Sequence, residues 1–351
     1  MKTITIKTPS LEGKIHIGAD VFERRLKALT AGQKNIVLTD GNVFRLYEPW
    51  LKKYFAAEEI VQIEAVESNK EFSMLQGILT QMLALGLTRN SRLFAVGGGV
   101  IGDMGGLAAA LYMRGISYVQ IPTTLLAQVD SGVGGKTAVN LDGVKNVVGA
   151  FYQPDEVLVS PEFLRTLSAS EIKCGLGEIV KYAMLNEEIF DAIENNLDKL
   201  GDLDFLSSLT EKCIYHKART VEKDEKEKGE RKSLNAGHTT GHAIELLSGL
   251  SHGESVLYGL LAEMKIAMAK GVCEKEYGER LLKIITRALE IPPYSAYDFS
   301  AVDAIAENAK SDKKNAGDGK ICMVVAKNKG EWTVLPLSFE EYKQSLTEQM
   351  Q

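Results

Sequence analysis

Apolar residues in the first half of the chain follow two alternating spacings. Short apolar runs such as NIVLTD and RLFAVG have the length of buried strands, and the segments between them, such as DVFERRLKALT, repeat apolar residues at helical intervals. The first two runs, TITIKT and GKIHIG, alternate apolar and polar side chains, which predicts a hairpin. Short apolar runs separated by helical segments indicate a parallel sheet with helices on both faces.

The pattern changes after the last of these runs, DEVLVS, which ends at Ser160. From there the periodicity is helical, as in ESVLYGLLAEMKIAMAKGV, until KICMVVAK and EWTVLPL return to strand-like runs. We therefore predict an α/β domain with a parallel, nucleotide-binding type of sheet over residues 1–160. A mostly α-helical domain is predicted over residues 161–351. Ligands of open parallel sheets bind at the carboxyl ends of the strands.

Composition narrows the classes of partner. The net charge is -6 over 351 residues, so a nucleic-acid partner is not expected. No apolar run approaches the roughly 20 residues of a membrane span, and the segment MKTITIKTPSLEG lacks the apolar core of a signal peptide. The four cysteines are far apart and form no CxxC, which favours reduced thiols in a cytoplasmic protein.

A glycine-rich segment, RLFAVGGGVIGDMGG, follows a predicted strand and opens a predicted helix. Gly97, Gly99 and Gly102 fit G-x-G-x-x-G, the spacing that brings backbone close to a pyrophosphate at a helix N-terminus. The acidic residue expected about 20 positions on is absent, so a plain chain reversal remains the alternative. Asp40 and the loop with Glu67 and Lys70 end earlier strands and are candidates for the ribose contact.

A second glycine-rich segment, DSGVGGKTAVN, resembles a P-loop only in part. The pattern G-x-x-x-x-G-K-[ST] requires glycine at position 130, where this chain has Asp130. The segment is predicted instead to be a flexible loop. It presents Asp130 and Lys136, followed by Lys145 and Asn146, to an anionic substrate.

Further charged residues have two readings. The charged run from Glu222 to Lys232 is predicted to be a solvated loop or helix end. Isolated cations are commonly surface residues, but as a set they suit a substrate with both phosphate and carboxylate: Arg114, Lys136, Lys145, Lys181, Lys217, Arg231, Lys313 and Lys314.

Three of the five histidines lie in SLNAGHTTGHAIELLSGLSHGE. His238 and His242 are four residues apart and share a helix face, which suits two imidazoles on one metal. The glutamate of an HExxH site is missing, so no metalloprotease is indicated. His252 starts the next predicted helix and could fold back. Glu178, with Lys181 one turn later, is a candidate carboxylate ligand, although a surface ion pair has the same spacing.

These segments together resemble the 3-dehydroquinate synthase family, in order and over nearly the whole chain. The resemblance rests on GGGVIGDMGG, YMRGISYVQIPTTLLAQVDSGVGGKTAVN, GVKNVVGAFYQP, GLGEIVKYA and LNAGHTTGHAIE followed by HGE. It implies a cytoplasmic homodimer in which residues 1–160 bind NAD and residues 161–351 bind the substrate and a divalent metal, zinc or alternatively cobalt. The implied reaction converts 3-deoxy-D-arabino-heptulosonate 7-phosphate into 3-dehydroquinate and phosphate in the shikimate pathway of aromatic amino-acid biosynthesis.

The resemblance also implies a role for each matching residue. The metal ligands are Glu178, His238 and His252, and His242 becomes a substrate and proton-relay residue. Contacts with NAD fall on Asp40, Asn42, Glu67, Lys70, Gly98, Gly99, Val100, Asp103, Thr123, Thr124, Lys145, Phe163 and Thr166. Contacts with the substrate fall on Asp130, Lys136, Asn146, Lys181, Lys217, Arg231, Asn235 and Lys314, with Arg114 reaching the phosphate in the partner subunit's site.

Three other functions remain open at this point. A sugar-phosphate cyclase paralogue, which makes an amino-dehydroquinate, a deoxy-inosose or a valiolone, would share the metal and NAD. A metal-dependent alcohol or glycerol dehydrogenase would release NADH stoichiometrically. A non-catalytic binding protein on the same scaffold would not require so complete a set of polar residues.

Overall fold

The structure is a computed structural model that describes residues 2–310 and 319–350. The chain forms two compact units. The first contains the chain up to Leu167 together with Lys217–Lys226, and the second contains Ser168–His216 and the chain from Glu227 onward. The first unit thus extends beyond the predicted boundary at residue 160 and includes the short 3-10 helix Pro161–Thr166. It also includes the later segment Lys217–Lys226, which the sequence pattern did not assign to it.

The first unit is built on a seven-stranded sheet, with strands in the order β1-β2-β9-β6-β5-β3-β4. Strands β1 and β2 form the predicted antiparallel hairpin, and the remaining neighbours are parallel, which confirms the predicted α/β class. The strands are β1 Lys2–Lys7, β2 Glu12–Ile17, β3 Asn35–Asp40, β4 Ile60–Ile63, β5 Arg92–Gly97, β6 Ser117–Pro122, β7 Lys136–Leu141, β8 Val144–Phe151 and β9 Glu156–Val159. The helices are α1 Ala19–Thr30, α2 Gly41–Tyr54, α3 Phe72–Ala84 and α4 Gly99–Leu111.

Both faces of this sheet are covered by helices. Val37 and Phe94 pack with α1 and α2 in one apolar cluster. Leu38 and Ala95, their neighbours along the strands, pack with α3 and α4 in the other. Because successive side chains of a strand point to opposite faces, a strand covered on both sides is apolar throughout. This explains why β3 and β5 are continuous apolar runs in the sequence.

The segment predicted to be a flexible glycine-rich loop begins in a helical turn and ends in a strand, so the prediction of a loop is wrong for these two parts. Asp130 lies in a π-helical turn, Ala127–Ser131, and β7 and β8 form an antiparallel hairpin. Lys136 is the first residue of β7. Asp142 and Gly143 form the hairpin turn with positive φ angles of 50° and 77°. An Asp-Gly pair is the sequence signal for such a turn.

The second unit is mostly helical, as predicted, and its two late apolar runs pair as an antiparallel hairpin. Its helices are α5 Ala169–Leu185, α6 Glu187–Glu194, α7 Leu203–Lys223, α8 His238–Leu247, α9 His252–Ala269, α10 Lys275–Glu290, α11 Val302–Lys310 and α12 Phe339–Met350. Its strands are β10 Lys320–Asn328 and β11 Glu331–Ser338. Helix α7 begins in this unit and continues into the first. Within the described residues, none of the helices meets the length and hydropathy of a membrane span.

The charged run from Glu222 to Lys232 is not uniformly solvated, which corrects the prediction for two of its residues. Glu225 is buried in the first unit, where its carboxylate accepts hydrogen bonds from Ser10 and from Gln153 Nε2 at 3.1 Å. Arg231 is buried in the second unit, in the 3-10 helix Glu230–Asn235. Buried charges need paired or hydrogen-bonded surroundings, and composition does not reveal those surroundings.

Candidate functional site

Three histidines converge in the second unit. His238 is the first residue of α8 and His252 the first of α9, and His242 lies one turn into α8. Their ring centroids are 5.1–5.7 Å apart. One nitrogen from each ring lies within 4.8 Å of the other two, close enough to share a metal ion. The sequence cluster is therefore also a spatial cluster.

Glu178, on α5, completes the cluster with a carboxylate. Its Oε1 lies 3.5 Å from His238 Nε2 and 3.2 Å from His252 Nε2. Its Oε2 contacts the ammonium of Lys181, and the side chains of Glu178 and Lys181 are 0% and 1% exposed. The alternative reading of this pair as a surface ion pair is therefore wrong. A buried carboxylate between two imidazoles is a donor set that divalent zinc or cobalt accepts.

Glycines allow the three helices to meet at the cluster. A Cβ on Gly253 would lie 1.7 Å from the carbonyl oxygen of Cys174, and one on Gly177 would lie 2.2 Å from the carbonyl oxygen of Gly253. Helices α5 and α9 therefore touch through their backbones, next to Glu178 and His252. A Cβ on Gly259 would lie 2.0 Å from the carbonyl oxygen of Gly237, so α8 and α9 approach each other in the same way.

Hydrogen bonds to Nδ1 orient two of the imidazoles. The Nδ1 of His238 lies 2.9 Å from the carbonyl oxygen of Ala236, and the Nδ1 of His252 lies 2.9 Å from Glu245 Oε2. Because these oxygens only accept, each Nδ1 donates, and the Nε2 atoms are left facing Glu178. Burial disfavours the charged form of His252, but hydrogen bonds with Glu178 and Glu245 outweigh it and raise its pKa to about 10.

A carboxylate from α9 caps the helix that carries His238 and His242. Helix α8 has a glycine, Gly237, at its N-cap and no capping side chain of its own. Glu263 takes that role, accepting hydrogen bonds from the amide of Gly237 at 3.0 Å and the amide of Thr240 at 2.8 Å. A negative charge at a helix N-terminus also interacts favourably with the helix dipole.

The glycine-rich segment of the first unit has the predicted strand-to-helix context. Strand β5 ends at Gly97 and α4 begins at Gly99, with Gly98 as its N-cap. A Cβ on Gly102 would lie 2.2 Å from Gln120 Nε2, so this glycine lets α4 pack closely on the sheet. Thr123 donates its amide to the carbonyl of Gly97 at 3.0 Å, which holds the end of β6 beside the turn.

A hydrogen-bonded network lies beside this turn. Lys70 Nζ is 2.5 Å from Asp103 Oδ2 on α4 and 2.5 Å from Asn146 Oδ1 on β8. Burial raises the pKa of the Asp103 carboxyl, and the ammonium of Lys70 offsets this only in part. Lys217 Nζ lies 2.9 Å from Asp130 Oδ1 and also donates to the backbone carbonyl of Asp130. Four residues predicted for cofactor or substrate are thus joined in two ion pairs.

An open groove lies at the carboxyl ends of β3 and β4. It is lined by residues 40–42 and 62–66. The carboxylate of Asp40 caps α2, accepting the amides of Asn42 and Val43 at 2.9 Å each. Glu67 follows the groove in the short 3-10 helix Glu67–Asn69. The candidates for the ribose contact are therefore near a common sheet edge, as strand-end positions predict.

Other predicted residues have different surroundings. Phe163 belongs to an aromatic core with Phe22, Tyr47 and Trp50, and the hydroxyl of Thr166 is 2.7 Å from that of Tyr47. The remaining predicted residues lie in several places in the two units. Val100 is half-buried in the first turn of α4, Thr124 accepts the amide of Ala127, Lys136 and Lys145 are exposed on the β7–β8 hairpin, and Asn235 donates to Glu227 Oε1 at 2.8 Å. Lys313 and Lys314 lie outside the described residues.

Sequence reasoning missed four polar residues at these sites: Asn140, Glu227, Glu245 and Glu263. Glu263 had a usable signal, because it is a lone carboxylate in the apolar stretch VLYGLLAEMKIAMA and is fully buried. Buried carboxylates are rare unless they are paired or hydrogen-bonded. The other three lie in segments of mixed polarity, where no pattern separates them from surface residues.

Comparison with known proteins agrees with this arrangement. Family models described as 3-dehydroquinate synthase N-terminal and 3-dehydroquinate synthase C-terminal match residues 60–174 and 175–315. A 3-dehydroquinate synthase of Thermoanaerobacter sp. (strain X514) is 40% identical, covering 97% of this chain and 98% of the relative.

Two solved structures of related cyclases have the same fold. A 2-deoxy-scyllo-inosose synthase complexed with carbaglucose-6-phosphate, NAD+ and Co2+ has a TM-score of 0.86 and 26% identity, covering 99% of this chain and 100% of that one. A 2-epi-5-epi-valiolone synthase from Streptomyces hygroscopicus subsp. jinggangensis 5008, with NAD+ and Zn2+ bound, has a TM-score of 0.85 and 26% identity, covering 96% of each chain. With the family models and the 40% identical relative, these findings show that the chain belongs to the 3-dehydroquinate synthase family.

Proposed function

We propose that this chain catalyses the 3-dehydroquinate synthase reaction, in which 3-deoxy-D-arabino-heptulosonate 7-phosphate becomes 3-dehydroquinate and inorganic phosphate. The observation that carries the proposal is the buried carboxylate of Glu178 beside the Nε2 atoms of His238 and His252. The reaction oxidises one alcohol of the substrate, eliminates phosphate, restores the alcohol, opens the ring and closes a carbocycle by an intramolecular aldol step. Oxidation and reduction cancel, so NAD is used catalytically.

The metal would be held by Glu178, His238 and His252, with zinc as the expected ion and cobalt as the alternative. Two imidazoles and one carboxylate are a ligand set of catalytic zinc sites, which keep a further position for water or substrate. Metal binding would displace the proton that the raised pKa of His252 otherwise keeps on this ring. The orientation of both Nδ1 atoms away from the cluster supports this assignment. When bound, the metal supplies Lewis acidity that lowers the pKa of the alcohol to be oxidised, and NAD supplies the hydride acceptor.

The first unit would hold NAD along the glycine turn at residues 97–99. Asp40, Glu67 and Lys70 would bind its adenosine end, and Asp103 would lie along its nicotinamide ribose. The groove at the ends of β3 and β4, and the close backbone packing at Gly102, support this assignment. A helix N-terminus with exposed backbone amides favours a pyrophosphate.

The polar residues would orient a flexible, doubly charged substrate. Lys136, Lys181, Lys217 and Arg231 would bind its phosphate and carboxylate, and Asn235 would bind its hydroxyls. The family resemblance gives His242 the role of carrying a proton to or from the substrate, and its position in the imidazole cluster beside the proposed ligands supports that role. Fixing the substrate in a reactive geometry contributes several kcal/mol, on the order of 7–11 in well-oriented systems.

A cytoplasmic homodimer is part of the proposal. Arg114 and its neighbour Met113 have positive φ angles of 69° and 51°, a backbone conformation that residues other than glycine rarely adopt. Leu111 and Met113, which precede Arg114 in the chain, are exposed large apolar side chains. This supports a role for Arg114 in contact with a second copy of the chain. Sedimentation of the purified protein tests the dimer, and Arg114→Ala tests the residue.

The decisive assay measures phosphate released per molecule of NAD. The full chain is loaded with zinc, given the heptulosonate phosphate and a trace of NAD, and the released phosphate and reduced cofactor are followed together. Many phosphates per NAD are expected. Accumulation of NADH with glycerol would instead indicate a dehydrogenase, and faster turnover of sugar phosphates without a carboxylate would indicate a cyclase paralogue.

The ligand assignment has its own test. His238→Ala is expected to lose the metal and nearly all activity, while His216→Ala serves as the matched control. His216 is a part-buried histidine of the same unit, where it contacts Tyr182 and Asn186 outside the cluster. Retention of a full complement of zinc by His238→Ala would refute the assignment.

A further inference from the structure

Asn140 lies where the β7–β8 hairpin leaves its regular ladder. The pairing register shifts between Val139 and Leu141, which marks an irregularity at Asn140. At this position the chain instead forms an isolated parallel bridge with Glu71, and the backbone amide of Asn140 donates to the carbonyl of Lys70 at 2.7 Å. Such irregularities in a strand re-aim a side chain, often next to a functional site.

The side chain of Asn140 uses both ends of its amide. Its Nδ2 donates to the backbone carbonyl of Glu67 at 3.2 Å and to Glu67 Oε1 at 3.0 Å. Its Oδ1 accepts the backbone amide of Asn146 at 2.8 Å. Asn140 is buried, so an unmet donor or acceptor at this place would cost free energy.

These hydrogen bonds belong to a closed network that also includes Lys70. Lys70 Nζ contacts Asn146 Oδ1, and Lys70 is only three residues after Glu67. Asn146 has a φ of 52°, so its backbone is in the left-handed region, and the bond from its amide to Asn140 helps to hold it there. One side chain thus fixes the turn that carries Glu67 and Lys70 relative to the strand that carries Asn146.

We propose that Asn140 is a positioning residue for NAD, acting through Glu67 and Lys70 without touching the cofactor itself. This inference rests on the proposed function, which assigns Glu67 and Lys70 to the adenosine end of NAD. Only an amide meets both requirements. Aspartate would accept from Asn146 but could not donate to Glu67, and it would add a like charge beside the Glu67 carboxylate.

The test is the affinity of the full chain for NAD, measured by titration with the cofactor alone and detected by protein fluorescence. Asn140→Ala is expected to weaken binding about 10- to 100-fold, the range for lost hydrogen bonds to charged groups. The matched control is Thr137→Val on the same hairpin. It removes the bond from Thr137 Oγ1 to the carbonyl of Ala150 and leaves Glu67 and Asn146 untouched. Its NAD affinity is expected to stay within about twofold of the original chain.

A double-mutant cycle separates positioning from general loss of stability. Asn140→Asp alone is expected to weaken NAD binding at least as much as Asn140→Ala. In the presence of Glu67→Gln, whose side-chain amide can donate to the new carboxylate, Asn140→Asp should cost much less. A merely structural role predicts equal cost in both backgrounds. It also predicts that Thr137→Val loses affinity in step with its melting temperature.

The outcomes distinguish this inference from the function on which it rests. An original chain that does not bind NAD overturns the proposed function and this inference together. An original chain that binds NAD, with Asn140→Ala binding equally well, overturns the inference alone. Additive effects in the cycle also overturn it. If Asn140→Ala does not fold, the cycle with Asn140→Asp, which keeps the side-chain volume, gives the same decision.

Discussion

Replacing Gly253 with alanine tests whether backbone contact between α5 and α9 holds the proposed metal ligands together. The added Cβ would lie 1.7 Å from the carbonyl oxygen of Cys174. Ordinary contact requires about 3.5 Å, so the two helices must separate by roughly 1.5–2 Å. Overpacking of this kind costs about 1–3 kcal/mol of stability.

The same displacement would reach two of the proposed metal ligands, because His252 precedes Gly253 and Glu178 follows Gly177. The Nε2 of His252 now lies 3.2 Å from Glu178 Oε1. Zinc requires its nitrogen and oxygen ligands at about 2.0–2.2 Å, and working sites tolerate errors of only about 0.5 Å. A shift three to four times larger should lower metal affinity about 100-fold or more and abolish activity.

The assay is competition for zinc between the protein and a chelator, with a melting curve measured in parallel. Gly249→Ala is the matched control. Gly249 lies three residues before His252, and a Cβ added there meets no heavy atom within 4 Å. The control should keep its metal affinity and melt near the original temperature. Unchanged zinc affinity in Gly253→Ala, or equal loss in both variants, would refute the reasoning.

Three further predictions concern the carboxylates of Glu178, Glu245 and Glu156, of which Glu178 and Glu156 are buried. Glu178→Gln should lose the metal and also destabilise the fold by about 3–5 kcal/mol, because it removes the carboxylate paired with the buried ammonium of Lys181. Metal content and urea unfolding check this, and a metal-loaded variant would contradict it. Glu245→Ala should weaken metal binding about 10- to 100-fold, because Glu245 orients the imidazole of His252. Glu245→Gln should lose less metal affinity, because its amide oxygen still accepts from His252 Nδ1. Equal metal affinities of the two variants in chelator competition would contradict this role of Glu245. At Glu156, burial favours the neutral form, but hydrogen bonds from His16 and Arg25 outweigh it and lower the pKa to about 2. The folded pKa lies below the unfolded value of 4.5, so up to about 3 kcal/mol of stability is present above pH 4.5 and lost as the pH falls towards 2. Urea unfolding between pH 7 and pH 3 should therefore show a smaller pH dependence in Glu156→Gln, and equal slopes would exclude this carboxylate as the source.

The sequence predicted elements where one kind of burial dominates a whole segment. Strand β3 was found at its full length, because both of its faces are covered and its residues are uniformly apolar. The β7–β8 hairpin was missed because its outward positions are exposed and its glycines suggested mobility, although Asp142–Gly143 was a valid turn signal. Local sequence patterns indicate which residues are buried and where the chain turns. They do not indicate which segments without a regular pattern pair with each other as strands.

The candidate metal cluster shows a second boundary of sequence reasoning. The spacing of His238 and His242 predicted a shared helix face, and the structure has both on α8. No local pattern could show that Glu178, on a helix far earlier in the chain, lies within 3.5 Å of His238. That contact depends on how α5, α8 and α9 pack against one another. Their packing depends on glycines that contact residues distant in the sequence, and such contacts cannot be recognised from the sequence near each glycine. The residues alone offered Glu178 as a candidate ligand with a surface ion pair as the alternative, and the family resemblance then implied its role as a ligand.

Backbone contact at Gly177, Gly253 and Gly259 has a consequence for any change of ligand. In most sites between helices, side chains separate the helix backbones. When a ligand side chain is shortened, these side chains can repack and its helix can move slightly towards the site. Here the backbones of the helices are already in contact at these glycines, so the helices cannot move closer together. Shortening Glu178 by one methylene would leave a gap that no repacking can close. The spacing of the proposed ligands is therefore fixed by backbone contact, and the ion size that the proposed site would accept depends on the length and rotamers of the ligand side chains.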